Sequence, residues 1–382
     1  MQRSAPTILF AGGGTGGHLF PALAIAEEVL ERNRWAKVRF LCSDRPLDTQ
    51  ILSDERAADE RIDFEVIPAK PFGARPLTAL RFLKSWGGAV RAGRRAIEAA
   101  RAAASEEGRV WVVAGGGFVA APVVQAARVE KVPVLMLNLD ATPGLANRWI
   151  SKHATKIVTT APVEGDIARG WDRIPPIVRR AATAPEAPED CRHRLGLDPH
   201  RPTLFVTGAS QGAASINQMM VALVKAHGAE LSRGRWQVVH QTGKADTAAI
   251  ESAYRDSGVP AKVFEFSREL GVCWGAADLA VSRAGAGSVA EAWANGVPTL
   301  FMPYPYHKDQ HQKKNAEPLM AAGAAVVVDD LIEPSRNVEG AGARLMELLR
   351  DGGKRAQLKA GLRKLGAADG AAKVAAMLLA KA

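Results

Sequence analysis

ILFAGGGTGGHLFPALAIAEEVL, residues 8–30, is the stretch on which the fold is read. A short apolar run enters it, five glycines crowd residues 12–17, His18 closes the glycine run, and an apolar helical segment from about Pro21 leaves it. Strand, glycine loop and helix form the opening unit of a parallel α/β sheet. Glycines let backbone N–H groups approach a phosphate, and the helix start adds a positive dipole end. Gly12, Gly14 and Gly17 also fit G-x-G-x-x-G, with Asp44 after the second apolar run where a ribose-binding acid would stand. A nicotinamide or flavin enzyme is therefore one reading of the loop, and a tight turn without a ligand is another.

The same grammar repeats outward from this stretch. Buried strands are expected at TILFA (7–11), KVRFLC (37–42), FEVIPA (64–69), RVWVVAG (109–115), VPVLMLN (132–138) and KIVTT (156–160), with amphipathic helices such as 21–32 and 119–130 between them. Residues 181–202, rich in proline, alanine and charge, read as a connector. The pattern then restarts at TLFVTGASQG (203–212), WQVVHQTG (236–243), KVFEF (262–266), LAVSRAG (279–285), PTLFMPY (298–304) and AAVVVDD (324–330). Alternating strand and helix implies parallel sheets covered on both faces. The expected architecture is α/β, with two Rossmann-like domains, 1–180 and 203–382, facing a central cleft. The alanine-rich helices at the end are free to pack back on the first domain.

Bulk properties agree. At roughly 100–200 residues per domain, 382 residues suggest two domains. A hydrophobic content of 47% excludes wholesale disorder, and a net charge of +10 favours anionic partners: nucleic acid, acidic lipid or a phosphorylated small molecule. Cys42, Cys191 and Cys273 are too scattered for a disulfide framework or a zinc site. No apolar run reaches the roughly 18 residues of a membrane span, and the start does not read as a signal peptide. The expectation is a cytoplasmic protein that touches a membrane without crossing it.

Two further motifs carry chemistry. GASQG (208–212) matches the nucleophile elbow of serine hydrolases, with His240, His307 and His311 downstream as candidate bases; it serves equally as a second phosphate loop. SRAGAGSVAEAWANGVP (282–298) brings small residues into a helix carrying Glu291. A helix start can hold a diphosphate, and a carboxylate one turn in can accept hydrogen bonds from both ribose hydroxyls. The following PYHKDQHQKKNA (305–316) is dense in donors and acceptors suited to sugar hydroxyls.

Taken together these stretches resemble glycosyltransferase family 28, in particular its MurG-like members. The likeness is carried by GGGTGGHLFPALAIAEEV at the first loop, GASQGAASINQ (208–218), HQTGK (240–244), AADLAVSRAGAGSVAEAWANGVPTLFMPY (276–304) and HQKKNAEPLMAAGAA (311–325). The resemblance implies a GT-B fold and an inverting transfer of N-acetylglucosamine from UDP-GlcNAc to lipid I, a polyprenyl-diphosphate-linked sugar, at the inner face of the cytoplasmic membrane. Carried over by position, Ser210 and Gln211 meet the diphosphate. Ala286, Gly287, Ser288 and Val289 supply backbone donors, and Glu291 holds the ribose. Ser267 lies near the uracil, Arg179 near the nucleotide, and His311 and Gln312 face the donor sugar. Thr15, Gly16, Gly17 and His18 border the sugar and acceptor, with Asn147 on the acceptor side.

No D-x-D motif is present. No metal or other cofactor is expected, the departing UDP being neutralised by preorganised N–H donors. The acceptor hydroxyl needs a base, for which His18 is the candidate. Departures from the family gather on the acceptor side. Leu137, Asn138, Leu139 and Asp140 stand where the family has H-E-Q-N, Phe118 replaces a tyrosine, and Pro175, Pro176 and Ile177 replace G-N-P. Asp140 is therefore a second catalytic candidate, assisting or replacing His18. A different acceptor, or a UDP-sugar-binding protein without turnover, are the alternatives these departures raise.

Residues 75–96 carry six basic residues and no acid. At helical spacing Leu80, Leu83, Trp86 and Val90 share one side, and Arg81, Lys84, Arg91 and Arg95 another. This is the pattern of an in-plane helix on anionic lipid. A helix packed on the sheet with a solvated basic rim is the plainer reading. Nucleic acid is not expected, because stacking aromatics are lacking.

Overall fold

The computed structural model describes residues 5–13, 16–73, 76–104, 109–209, 212–245, 247–307 and 309–380. Three expected site residues, Thr15, Ser210 and Gln211, lie outside them. The chain forms two units, Met1–Ile177 with Asp369–Ala382, and Val178–Ala368.

The first unit runs β1 (Thr7–Ala11), α1 (Gly16–Arg32), β2 (Lys37–Cys42), α2 (Pro46–Ala58), β3 (Ile62–Val66), α3 (Pro76–Ala103), β4 (Val110–Ala114), α4 (Gly117–Val129), β5 (Val134–Asn138), α5 (Leu145–Ile150), β6 (Lys156–Thr159) and β7 (Asp172–Arg173). Its strands are all parallel, in the order β3-β2-β1-β4-β5-β6-β7. Parallel strands buried on both faces need continuous apolar runs, and TILFA and VLMLN are buried at every position. The helix after the glycines begins at Gly16, five residues before the expected Pro21, which lies inside it. A proline there costs the helix one N–H donor.

The second unit runs α6 (Pro188–Arg194), β8 (Thr203–Thr207), α7 (Ala214–Arg233), β9 (Gln237–Gln241), α8 (Thr247–Asp256), β10 (Ala261–Phe264), α9 (Leu270–Ala276), β11 (Leu279–Ser282), α10 (Ala286–Asn295), β12 (Thr299–Phe301), α11 (His311–Ala321), β13 (Ala325–Val327), α12 (Pro334–Asn337), α13 (Ala343–Arg350) and α14 (Gly352–Lys364). Its strands are parallel in the order β10-β9-β8-β11-β12-β13. The last helix, α15 (Gly370–Leu379), returns to the first unit and packs on α1 through Val374, Ala375 and Leu378.

Residues 181–202, expected as a connector, are instead a folded part of the second unit. Cys191 of α6 is fully buried against Val272 and Ala276 of α9, and the Arg192 guanidinium donates to the Ala276 carbonyl (3.0 Å) and to Asp278 (2.9 Å). Proline and charge made the stretch look solvated. Here Pro188 starts a helix and Arg192 satisfies a buried carbonyl.

In each sheet the strand order reverses beside the first strand, between β1 and β4 and between β8 and β11. The crevice at the carboxyl ends of such strands is where open α/β sheets take their ligands.

Candidate functional site

In the first unit three chain segments converge at that point: the loop after β1, the glycines after β4, and the end of β5. Gly116 and Gly117 have φ of +95° and +78°, and a Cβ on either would strike Asn147 Oδ1 or the Gly13 carbonyl, so only glycine lets this layer close. His18 sits in the first turn of α1. Its imidazole pKa is lowered by burial, against the opposing charges of Asp140 and Asp48. It is thus held neutral near pH 7, the form able to accept a proton.

Asp48 was not found by reading the sequence. It is 1% exposed on α2, accepts the Ser43 hydroxyl at 2.6 Å, and lies under Gly13. Nothing in its spacing connects it to a glycine loop 35 residues earlier. Asp44, the acid of the dinucleotide reading, is exposed and paired with Lys70 (2.5 Å), so it is engaged away from any ribose.

Asn138 explains why an amide stands at that position. Its Nδ2 donates to the Asp140 carbonyl (2.8 Å) and to Thr159 Oγ1 (3.1 Å), and its Oδ1 accepts from Asn147 Nδ2 (3.2 Å). A carboxylate could make only the last of these bonds. Asn147 Oδ1 is buried without a hydrogen-bond partner among the described residues, an open acceptor that a hydroxyl could fill. The Phe118 ring lies 5.9 Å from the Arg45 guanidinium.

In the second unit α10 begins at Ala286 after Gly285, which has no side chain to cap it, and its first turn carries no acid. The N–H groups of Ala286, Gly287 and Ser288 have no partner among the described residues, whereas Val289 donates to the Gly285 carbonyl at 3.0 Å. Val289 is therefore no free donor. It is the fourth helical residue, the first whose bond closes inside the helix. Glu291 accepts Trp274 Nε1–H at Oε2 (3.1 Å), while Oε1 faces the space left open by Gly287. Burial pushes the Glu291 carboxyl up to about 7, against the lowering effect of the Trp274 bond.

The loop feeding α10 is locked by a buried ion pair. Arg283 donates to Asp330 (2.6 Å), to Ser215 Oγ (2.8 Å) and to the Met302 carbonyl (2.9 Å). Gln312 at the start of α11 accepts the Tyr304 N–H (2.9 Å), and His311 Nδ1 meets Asp309 at 2.8 Å with its ring 4.2 Å from that of His307. Ser267 Oγ accepts the Glu269 N–H (3.0 Å) before α9, and Arg179 precedes a single 3-10 turn at Arg180–Ala182. His240, a candidate base in the hydrolase reading, is fully buried between Tyr254 Oη (2.9 Å) and Asn217 (3.1 Å), and burial lowers its pKa to about 3. It is a structural histidine. Among the described residues no group of three His, Cys, Asp or Glu side chains is placed to hold a metal.

α3 joins both readings made of it. Its second half is packed: Ala89, Ala92, Gly93, Ala96 and Ile97 are buried, with Gly93 against Val123 and Ala126 of α4. Its first half stands clear: Leu77, Leu80 and Leu83 are 70%, 48% and 66% exposed, and Arg81, Lys84, Arg91 and Arg95 are exposed. Trp86 and Val90 are half-buried. Leu77, and Phe72 before the helix (58% exposed), extend the apolar face beyond the residues expected. No described helix is long and apolar enough to cross a membrane.

The chain matches the glycosyltransferase family 28 N-terminal domain over residues 8–159 and the family's C-terminal domain over residues 203–361. It is 34% identical, over 96% of this chain and 94% of the relative, to a Clavibacter michiganensis subsp. michiganensis protein. That protein is named UDP-N-acetylglucosamine–N-acetylmuramyl-(pentapeptide) pyrophosphoryl-undecaprenol N-acetylglucosamine transferase. A Halothermothrix orenii protein of the same name is 32% identical over 85% of each chain. Among solved structures, Acinetobacter baumannii MurG covers 98% of this chain and 99% of its own, with a TM-score of 0.69 at 22% identity. A Polygonum tinctorium UDP-glucosyltransferase, with a TM-score of 0.68, shares the fold at 14% identity, 100% of each chain being covered. The two parallel-sheet units are those of a GT-B glycosyltransferase, and the chain belongs to glycosyltransferase family 28.

Proposed function

We propose that this enzyme transfers N-acetylglucosamine from UDP-N-acetylglucosamine to N-acetylmuramyl-pentapeptide pyrophosphoryl-undecaprenol, lipid I, giving lipid II for peptidoglycan. Identity to relatives named for this reaction, along nearly the whole chain, supports the substrates. The observation that carries the chemistry is the open start of α10. Three N–H groups there, unpartnered among the described residues, stand one turn from Glu291. In this reading they receive the diphosphate and Glu291 clasps the ribose. His311 and Gln312 turn towards the sugar, Ser210 and Gln211 towards the diphosphate, and Ser267 and Arg179 towards the nucleoside.

The reaction is a single displacement with inversion. His18 Nε2 or Nδ1 takes the acceptor hydroxyl proton as that oxygen bonds to the anomeric carbon, and the bond from that carbon to the β-phosphate oxygen breaks. The charge gathering on UDP meets the α10 N–H groups and no metal takes part. Asn147 Oδ1 orients the acceptor sugar beside Gly16 and Gly17. Asp140 stabilises the imidazolium rather than taking the proton itself. Comparing Asp140→Asn with His18→Ala tests this: the first should slow turnover and the second nearly abolish it. Full loss in Asp140→Asn with activity kept in His18→Ala would reverse the assignment.

The polyprenyl acceptor fixes where the enzyme works. α3 lies in the plane of the inner face of the cytoplasmic membrane, with Leu77, Leu80 and Leu83 inserted and Arg81, Lys84, Arg91 and Arg95 against anionic headgroups. Flotation with anionic and neutral vesicles tests the placement: we expect a strong preference for the anionic ones, and equal recovery from both would contradict it.

A further inference from the structure

Two indoles of the second unit find different partners. Trp293 Nε1–H donates to the Gly366 carbonyl (2.8 Å), an ordinary acceptor for an indole. Trp274 Nε1–H donates instead to a carboxylate, Glu291 Oε2, at 3.1 Å. Trp274 is fully buried, and a backbone carbonyl would satisfy its N–H just as well. Bringing a carboxylate there takes charge out of water, which costs free energy that an amide carbonyl does not.

The indole cannot turn away. Its ring meets Phe205 of β8 edge-on at 5.0 Å. Two glycines on α9 flank it and press that helix onto its neighbours. A Cβ on Gly271 would strike the Thr183 carbonyl, and one on Gly275 would lie 2.6 Å from Cys191 Sγ and 2.9 Å from Ala184 Cβ. α10 is tied to the same stretch: Asn295 Nδ2 donates to the Ala182 carbonyl (2.9 Å), and its Oδ1 accepts the Ala184 N–H (2.7 Å). The two ends of the indole–carboxylate bond therefore stand on helices fixed to one short segment, residues 182–184.

Glu291 has freedom to lose. A glutamate side chain turns about several bonds, and ordering it at the moment of binding costs affinity. With Oε2 taken by the indole, the carboxylate plane is set before a ligand arrives. Oε1 accepts no hydrogen bond among the described residues, lies 4.0 Å from where a Cβ on Gly287 would stand, and belongs to a side chain only half-buried, within reach of a ligand. An indole N–H is a donor only and carries no charge, so it orients the carboxylate without neutralising it as an arginine would.

We propose that Trp274 is a positioning residue for the pentose: by holding Glu291 Oε2 it aims Oε1 at the ribose hydroxyls, and so sets a preference for a ribonucleotide over its 2′-deoxy counterpart. The inference rests on the reading of Glu291 as the ribose clasp.

The test is calorimetric titration of the full chain with UDP and with 2′-deoxy-UDP. Wild type should bind UDP roughly tenfold to hundredfold tighter, the worth of a hydroxyl bonded to a charged group. Trp274→Phe keeps an aromatic ring and removes the N–H. It should lose most of that ratio through weaker UDP binding, with 2′-deoxy-UDP held within about threefold of wild type. Replacing Trp274 by 3-benzothienylalanine keeps the bicyclic shape with sulfur in place of the N–H. It should lose the ratio likewise while melting close to wild type, and it decides the matter if the smaller ring fails to fold. Equal weakening of both ligands would reduce Trp274 to a packing residue and overturn the proposal. Glu291→Gln tests the clasp by itself. If it loses the ratio while the benzothienyl variant keeps it, the clasp stands and the positioning role falls. If wild type and Glu291→Gln show the same ratio, the clasp itself fails and the proposal falls with it.

Discussion

At His18, the base of the proposed mechanism, a balance of burial against two carboxylates sets the working range. Burial favours the neutral ring, while Asp140 and Asp48 favour the imidazolium, and the net direction is below the ordinary value of 6.5. A base must be neutral to act, so the acid limb of kcat/KM should fall below pH 6.5. Asp140→Asn and Asp48→Asn each remove an anion that favours the cation, and each should move that limb further towards acid. His18→Ala should cost about 10²–10⁴ in kcat. A limb that stays in place in both carboxylate variants would remove these residues from the account. Glu291 titrates the other way. Its carboxyl is raised from the ordinary value of 4.5 to about 7 by burial, so its ionisation opposes folding, and stability falls as pH rises from about 4.5 to 7. Glu291→Gln should therefore raise Tm at pH 8 and not at pH 4, while weakening UDP binding roughly tenfold to hundredfold through lost charge-assisted bonds. Equal Tm shifts at both pH values would contradict the burial argument. The places of His18, closing the glycine loop at the start of α1, and of Glu291, just over one turn into α10, were legible from the loops that precede those helices. Asp48 was not, because its role depends on how α2 folds back under Gly13. Val289 was misjudged because which N–H is free depends on the residue at which the helix starts.

At the scale of elements, the start of α10 is positioned by the buried pair Arg283–Asp330. Burial alone would raise the Asp330 carboxyl, but hydrogen bonds from Ser215, Asn337, the Ile332 N–H and Arg283 hold it below its ordinary range. Its contribution is present at neutral pH and lost as pH falls through the lowered value. Arg283→Met leaves that carboxylate buried and short of its cation, at a cost of about 3–5 kcal/mol. The double variant with Asp330→Leu should recover part of the loss, and thermal melts of the set would show it. No recovery would mean that Arg283 acts through its carbonyl contact instead. β1 and β2 fall on the bounds read from the apolar runs, since strands buried on both faces leave little freedom. β3 starts two residues earlier than expected, at Ile62, because its half-exposed pattern is carried by alternation and not by a continuous run. α3 changes in composition along its length, from Leu, Phe and Trp over 77–86 to an alanine-rich stretch over 89–103, and the small residues of the second half are the ones buried against α4.

At the scale of the whole molecule, two parallel sheets and a returning C-terminal helix were legible from the repeated strand–loop–helix grammar. The point of return was not. α15 docks where the Gly370 N–H meets the Pro176 carbonyl at 3.0 Å, and a Cβ there would lie 2.1 Å from the Pro175 carbonyl oxygen. Gly370→Ala should cost about 1–3 kcal/mol by overpacking and release α15 from α1, seen as faster hydrogen exchange in both helices. Unchanged exchange would show that the helix is held by Val374, Ala375 and Leu378 alone. The transfer itself is tested most directly by incubating the enzyme with radiolabelled UDP-N-acetylglucosamine, lipid I and anionic vesicles. Label should pass into a lipid-extractable disaccharide product with wild type and fail to do so with His18→Ala. Transfer to other polyprenyl acceptors but not to lipid I, or no transfer from this donor at all, would contradict the account.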